Sequence, residues 1–194
     1  HVTHLALQEL DRKCYVPCKE HDTQYKALKQ ILRGLNEDVS DGHHTSDLQR
    51  KLVEQTKAVE TVIILDDIEF LLLNDGNDLL YFLTRIETRN RVDLVLTSSN
   101  HSGLKSQIEE RTYSSLQPRR ISFEPYTAED VYQILVQRAQ KALVDQSLQR
   151  AALTYITSTT QNISVALHWL KHAAETTDSV ITESHIQDVE QKAY

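Results

Sequence analysis

The sequence predicts an α/β core followed by a small all-helical bundle, and three observations carry that expectation. Two short runs rich in Val, Ile and Leu, around 62–65 and 92–96, have the composition of buried strands and are separated by a helical pattern. From Thr127 onward strand patterning stops, and four helical segments follow, each with its own cap. The 194 residues suffice for one core, or a core with a small appendage. No apolar run approaches the roughly 18–20 residues of a membrane span, so a soluble chain without a membrane partner is expected.

Residues 3–12 read as the end of a helix and 13–18 (KCYVPC) as a short strand closed by Pro17. Asp22 or Thr23 caps a helix carrying Tyr25, Leu28, Ile31, Leu32 and Leu35 that ends near Gly34. Residues 36–46 are loop-like, and Ser46 opens a helix with Leu48, Leu52 and Val53 on one side. The strand VIILDD delivers Asp66 and Asp67 to the carboxyl edge of a sheet, where open α/β folds place ligands. A helix over 78–89, a second buried strand over 92–98, a helical piece near 108–116 and a third strand over 120–123 complete the core. The bundle helices are expected at 127–143, 146–159, 163–177 and 182–193, capped by Thr127 with Asp130, by Asp145, by Asn162, and by Thr182 with His185. Trp169 belongs in the bundle core.

Composition narrows the function. A net charge of −7 argues against a basic nucleic-acid coat, though not against a local patch, and Lys105, Arg111, Arg119 and Arg120 are too sparse to define one. None of the four glycines, Gly34, Gly42, Gly76 and Gly103, is followed by Lys, so neither a G-x-x-x-x-G-K-[ST] phosphate loop nor a G-x-G-x-x-G fingerprint occurs. Two cysteines make no disulfide framework, which fits a reducing cytoplasm. Cys14, Cys18 and His21, with His4, would be a zinc set, but a pair of small apolar residues beside a strand is the preferred reading. His43, His44, His101, His168 and His172 show no ligand spacing on a shared face.

VIILDD is the strongest chemical signal. A hydrophobic strand ending in acids is what an NTPase uses to hold Mg²⁺ and polarise water, and it also occurs in α/β proteins without nucleotide. Asn100, just past the neighbouring strand, would orient that water, unless it is an ordinary turn residue. Arg111 would reach a neighbouring subunit's phosphates, unless it is a solvated surface arginine.

Together, D-T-x-Y (22–25), LLYFLTRI (79–86), S-S-L-x-P (114–118) and F-x-P-Y (123–126) resemble the archaeal Orc/Cdc-type replication initiators, AAA+ ATPases related to the origin recognition complex, along nearly the whole chain. The resemblance implies an AAA+ core over 1–125 and a helical lid over 126–194. It implies that Asp66 is the Walker B acid associated with magnesium, Asp67 stands where a catalytic glutamate is usual, Asn100 is sensor 1 and Arg111 the arginine finger. Asp66, Asp67 and Asn100 would then face ATP. The helix after Asp22 resembles the initiator-specific insertion that approaches DNA. The implied role is ATP-dependent origin DNA binding and helicase loading, with origin DNA and other initiator or helicase subunits as partners.

The departures from the family pattern are specific. The Walker A loop and first strand would precede His1, and a winged helix would follow Tyr194, so a fragment missing both is expected; the lack of any Met points the same way. Asp67 is one methylene shorter than Glu, enough to misplace a water by about 1 Å. Ser164 falls where the sensor 2 arginine is expected. ATPase activity is therefore an open question, and ATP binding by the isolated chain is expected to be weak or absent. A degenerate, non-catalytic AAA+ paralogue serving protein interaction or regulation is the alternative. A helper ATPase of mobile elements fits the D-T-x-Y helix less well. Without the family's first strand, 120–123 must either pair with 92–98 or leave backbone groups unpaired, at about 1–3 kcal/mol each.

Overall fold

The computed structural model describes residues 12–57, 59–74, 76–87, 90–99 and 103–192. The helix end expected over 3–12, with His4, falls outside them apart from Arg12. The chain divides into two compact units, His1–Ile121 and Ser122–Tyr194.

The first unit is built on a parallel sheet of β1 (Lys13–Pro17), β2 (Thr61–Asp66) and β3 (Val92–Leu96), with β2 in the middle. Register sets Pro17 opposite Asp66 and Leu65 opposite Leu96. Parallel neighbours require crossovers. The first is made by α1 (Gln24–Gly34) and α2 (Thr45–Thr56), the second by α3 (Ile68–Leu72) and α4 (Gly76–Thr84). Two short helices follow, α5 (Leu104–Gln107) and α6 (Glu110–Leu116).

Helix α1 forms because Thr23 caps it, accepting the Lys26 N–H, and because Leu28, Ile31 and Leu32 fall on one face. That face is fully buried against β1 and α2, with Leu48, Leu52, Ile63 and Leu65 in the same core. Each such side chain contributes about 1.5–3 kcal/mol of burial. Helix α4 approaches α3 so closely that a Cβ on Gly76 would lie 2.5 Å from the Leu71 carbonyl oxygen; only glycine fits there without a backbone shift. This packing starts α4 two residues earlier than the sequence pattern indicates, and it ends at Thr84 rather than at 89.

Two strand expectations are corrected. β3 is half-buried along its whole length, because β2 is its one partner among the described residues. Residues 120–123 form no strand, and Ile121 and Phe123 are 74% and 64% exposed. RISF has strand-like composition, but a strand exists only where a ladder satisfies its N–H and C=O groups, and no described strand pairs with it. Of the two outcomes weighed for this segment, it does not pair with β3.

The second unit contains α7 (Ala128–Ala142), α8 (Arg150–Thr159), α9 (Ile163–Thr176) and α10 (Glu183–Lys192), packed around Val131, Leu135, Ile156, Trp169 and Ile186. Thr127 and Asp130 form a reciprocal capping box, and Asn162 accepts the N–H groups of Ser164 and Val165. His185 Nδ1 accepts the Thr182 N–H at 3.2 Å. Asp145 does not cap α8. Residues 147–149 instead bridge Ile181, with Ile181 N–H donating to Ser147 and Gln149 N–H donating to Ile181, which delays the helix to Arg150. His168 and His172 meet edge-on along α9, with ring centroids 6.1 Å apart.

Candidate functional site at the end of the central strand

The acids at the end of β2 are held by groups from segments far apart in sequence. Asp66 Oδ2 accepts the Tyr15 hydroxyl of β1 at 2.5 Å, and its Oδ1 accepts the hydroxyl of Thr97, one residue past β3. Burial pushes the Asp66 carboxyl up, but the bonds from Thr97 and Tyr15, with the charge of Lys19, outweigh it and keep the group below the usual carboxylate range. Asp66 is thus an anion at neutral pH. The Tyr15 phenol is pushed up to about 12, chiefly by that same hydrogen bond and next by burial.

Asp67 follows at φ 53°, ψ 53°, in the left-handed region that Asp tolerates better than most side chains. This turn ends the strand and starts α3. Its side chain does not cap α3 but pairs with Lys19, 2.8 Å away on the loop after β1, and the Lys19 ammonium also lies over the Phe70 ring. The Asp67 N–H donates to Thr97 Oγ1 at 3.1 Å. Two residues on, Glu69 accepts both the backbone N–H and the hydroxyl of Ser99. Burial raises the Glu69 carboxyl, yet the bonds from Ser99 and neighbouring groups bring it below its ordinary value. The segment before Asn100 is therefore clamped to α3, while Asn100 itself lies outside the described residues.

Arg111 makes its contacts elsewhere. It donates from Nε to Glu109 at 2.7 Å and from a terminal nitrogen to Asp78 at 2.9 Å, and it stacks over the Tyr81 ring at 5.1 Å. The Glu109 and Asp78 carboxylates hold its charge more firmly still. Asn77 joins the same elements, donating to Gln107 and accepting the Glu109 N–H. Arg111 is thus a braced, half-exposed cation rather than a loose surface side chain.

Cys14 and Cys18 are buried in the core, and burial pushes their thiols up to about 11 and about 12. They occupy the sheet's interior as small apolar side chains. Among the described residues no group of three or more His, Cys, Asp or Glu is placed to hold a metal ion. Magnesium does not need one, since it is bound through one or two carboxylates together with water and phosphate oxygens. Asp66 and Asp67 fit that requirement as hard, adjacent, partly exposed oxygen donors. A phosphate cradle does not fit, because no residues of the chain form the glycine–lysine loop. In the second unit, Ser164 stands at the start of α9 without a cationic side chain.

Sequence reasoning missed Tyr15, Lys19, Glu69 and Thr97. Thr97 carried a usable signal, a hydroxyl residue three before Asn100 at a strand end. Glu69 lies two residues after Asp67 in the chain, whereas Tyr15 and Lys19 become neighbours of the acids only through strand register and chain turns.

No protein-family model matches the chain. It is 30% identical over 195 residues to the ORC1-type DNA replication protein of Thermococcus kodakarensis, covering 92% of this chain and 47% of that protein. The chain spans about half the length of the curated relatives it matches. Among solved structures, the Aeropyrum pernix ORC1 protein in complex with DNA matches with a TM-score of 0.80 at 22% identity, over 99% of this chain and 53% of the other. Cdc6p from Pyrobaculum aerophilum matches at 0.82 and 20% identity, over 98% and 57%. These two structures agree with the AAA+ type of fold expected from the sequence motifs.

Proposed function

We propose that this chain, a relative of the archaeal ORC1-type DNA replication proteins, serves as the nucleotide-responsive segment of a cytoplasmic replication initiator. Its family role would be ATP-dependent binding of origin DNA and helicase loading, alongside other initiator or helicase subunits. The observation that carries this reading is the ionised Asp66 carboxylate, fixed at the carboxyl end of the central strand with Asp67 beside it. In this reading Asp66 is the magnesium-associated acid, Asp67 the acid nearest an attacking water and Asn100 the residue that orients it. Arg111 is the cation offered to a neighbouring subunit's phosphates. Magnesium held there would offset phosphate charge.

The isolated chain is expected to bind Mg-ATP weakly or not at all, since nothing in its sequence cradles the phosphates and Ser164 supplies no charge. Isothermal titration with Mg-ATP tests this: micromolar affinity would overturn it.

One observation favours a second reading, a non-catalytic paralogue that acts through protein contacts. Asp67, already a methylene short for its role, is tied to Lys19 and so less available to activate water. Asp66→Ala in a complete initiator carrying this segment separates the two. Loss of origin function supports the ATPase reading, and full function supports the scaffold.

A further inference from the structure

We infer that Tyr15 and Thr97 are positioning residues for the metal-associated carboxylate, fixing Asp66 in place while leaving its charge available to a divalent cation. The inference rests on reading Asp66 as that acid. Asp66 sits on the middle strand, and the segments on both sides each contribute one hydroxyl to a different oxygen of its carboxylate. Tyr15 stands two residues before Pro17, the register partner of Asp66, so both belong to the same face of the pleat. The length of the phenol lets it reach diagonally to Oδ2.

Thr97 is more constrained still. Its N–H donates to the Leu65 carbonyl and its carbonyl accepts the Ile68 N–H, each at 3.0 Å. Its hydroxyl oxygen accepts the Asp67 N–H, so its one proton is directed to Asp66 Oδ1. A single residue thereby ties Leu65, Asp66, Asp67 and Ile68 into one geometry.

The two acids have opposite partners. Asp67 is paired with a cation, which offsets its charge, whereas both donors to Asp66 are neutral hydroxyls. Each Asp66 oxygen has room for a second acceptor interaction after taking its hydroxyl bond. Asp66 is thus held on both sides and remains a full anion for a hard cation. Outer partners of this kind fix the orientation of a ligating carboxylate, and their loss costs about 10- to 100-fold in metal affinity.

The test is direct titration of the 194-residue chain with Mn²⁺ alone, following the free-ion electron paramagnetic resonance signal. Tyr15→Phe removes only the hydroxyl, and Thr97→Val removes the hydroxyl at nearly constant volume; each is expected to weaken Mn²⁺ binding about 10-fold or more. Thr97→Ser restores the hydroxyl and is expected to recover the affinity, which a loss of fold would not allow. Unchanged affinity in Tyr15→Phe and Thr97→Val, with Asp66→Asn abolishing binding, overturns this inference and leaves the reading of Asp66 intact. Failure of the unaltered chain to bind Mn²⁺ overturns this inference, and full binding by Asp66→Asn overturns both.

Discussion

The side chains that start the helices of the second unit and those that hold the acids of the first work over very different sequence distances. In the helical unit the caps are local: Thr127 with Asp130, Asn162 with Ser164 and Val165, Thr182 with His185. In the α/β unit, Tyr15 reaches Asp66, Thr97 reaches Asp66, Ser99 reaches Glu69 and Asn77 reaches Glu109, each pair at least thirty positions apart. A local cap stabilises the helix it starts and gathers nothing else. Long-range pairing draws side chains from separate segments around one pair of acids, and so a polar network concentrates at the end of β2.

The strongest way to break this comparison is through the cores, where the two units should behave alike. Leu65→Ala is expected to cost the α/β unit about 2–5 kcal/mol, and Trp169→Ala the helical unit about 3–5 kcal/mol. Urea unfolding followed by circular dichroism reads both. Much smaller losses would show that one of these cores is loosely packed.

The polar clusters should then separate the units. Asp66→Ala leaves the Tyr15 and Thr97 hydroxyls without their acceptor and is expected to cost about 1–3 kcal/mol in thermal melts. Thr127→Ala, which removes one local cap, is expected to cost about 1 kcal/mol. Equal losses would erase the distinction between long-range and local pairing.

Acid should strain both units. The Asp66, Glu69 and Asp130 carboxyls are all held below their ordinary values in the folded chain. Their stabilisation is therefore complete above the usual carboxylate range near pH 4 and is lost as pH falls through the lowered folded values. Melting temperatures measured from pH 6 downward should stay level until about pH 4 and then drop; a decline centred near pH 6 would point to histidine instead. The smallest effect belongs to Lys19→Ala, which removes an exposed ion pair screened by solvent and should leave the melting temperature nearly unchanged.

Much of this architecture is legible in the sequence because it is local. Thr23, Thr127 and Asn162 mark helix starts through the donors two or three residues ahead, and the apolar run ending at Asp66 marks the central strand. Errors arise where a distant partner decides. Asp145 is a good cap residue that loses to the bridge between 147–149 and Ile181. RISF has the composition of a strand but no described partner to pair with. The acids themselves were visible at the end of that apolar run, and the family resemblance added only their expected roles, whereas Tyr15 and Lys19 became their neighbours only through register and the turn at Pro17, which a linear pattern does not encode.

The burial of Cys14 and Cys18 has a practical consequence. Both thiols lie within the core of the α/β unit and resist ionising until strongly alkaline pH. Thiol-directed dyes and spin labels attack the thiolate, so at neutral pH they should pass over both residues while the fold is intact. A cysteine engineered onto the surface, at Arg33 on the exposed side of α1 or at Glu129 on α7, could therefore carry a single probe with both native cysteines left in place. Distances and binding could then be followed in the unaltered interior.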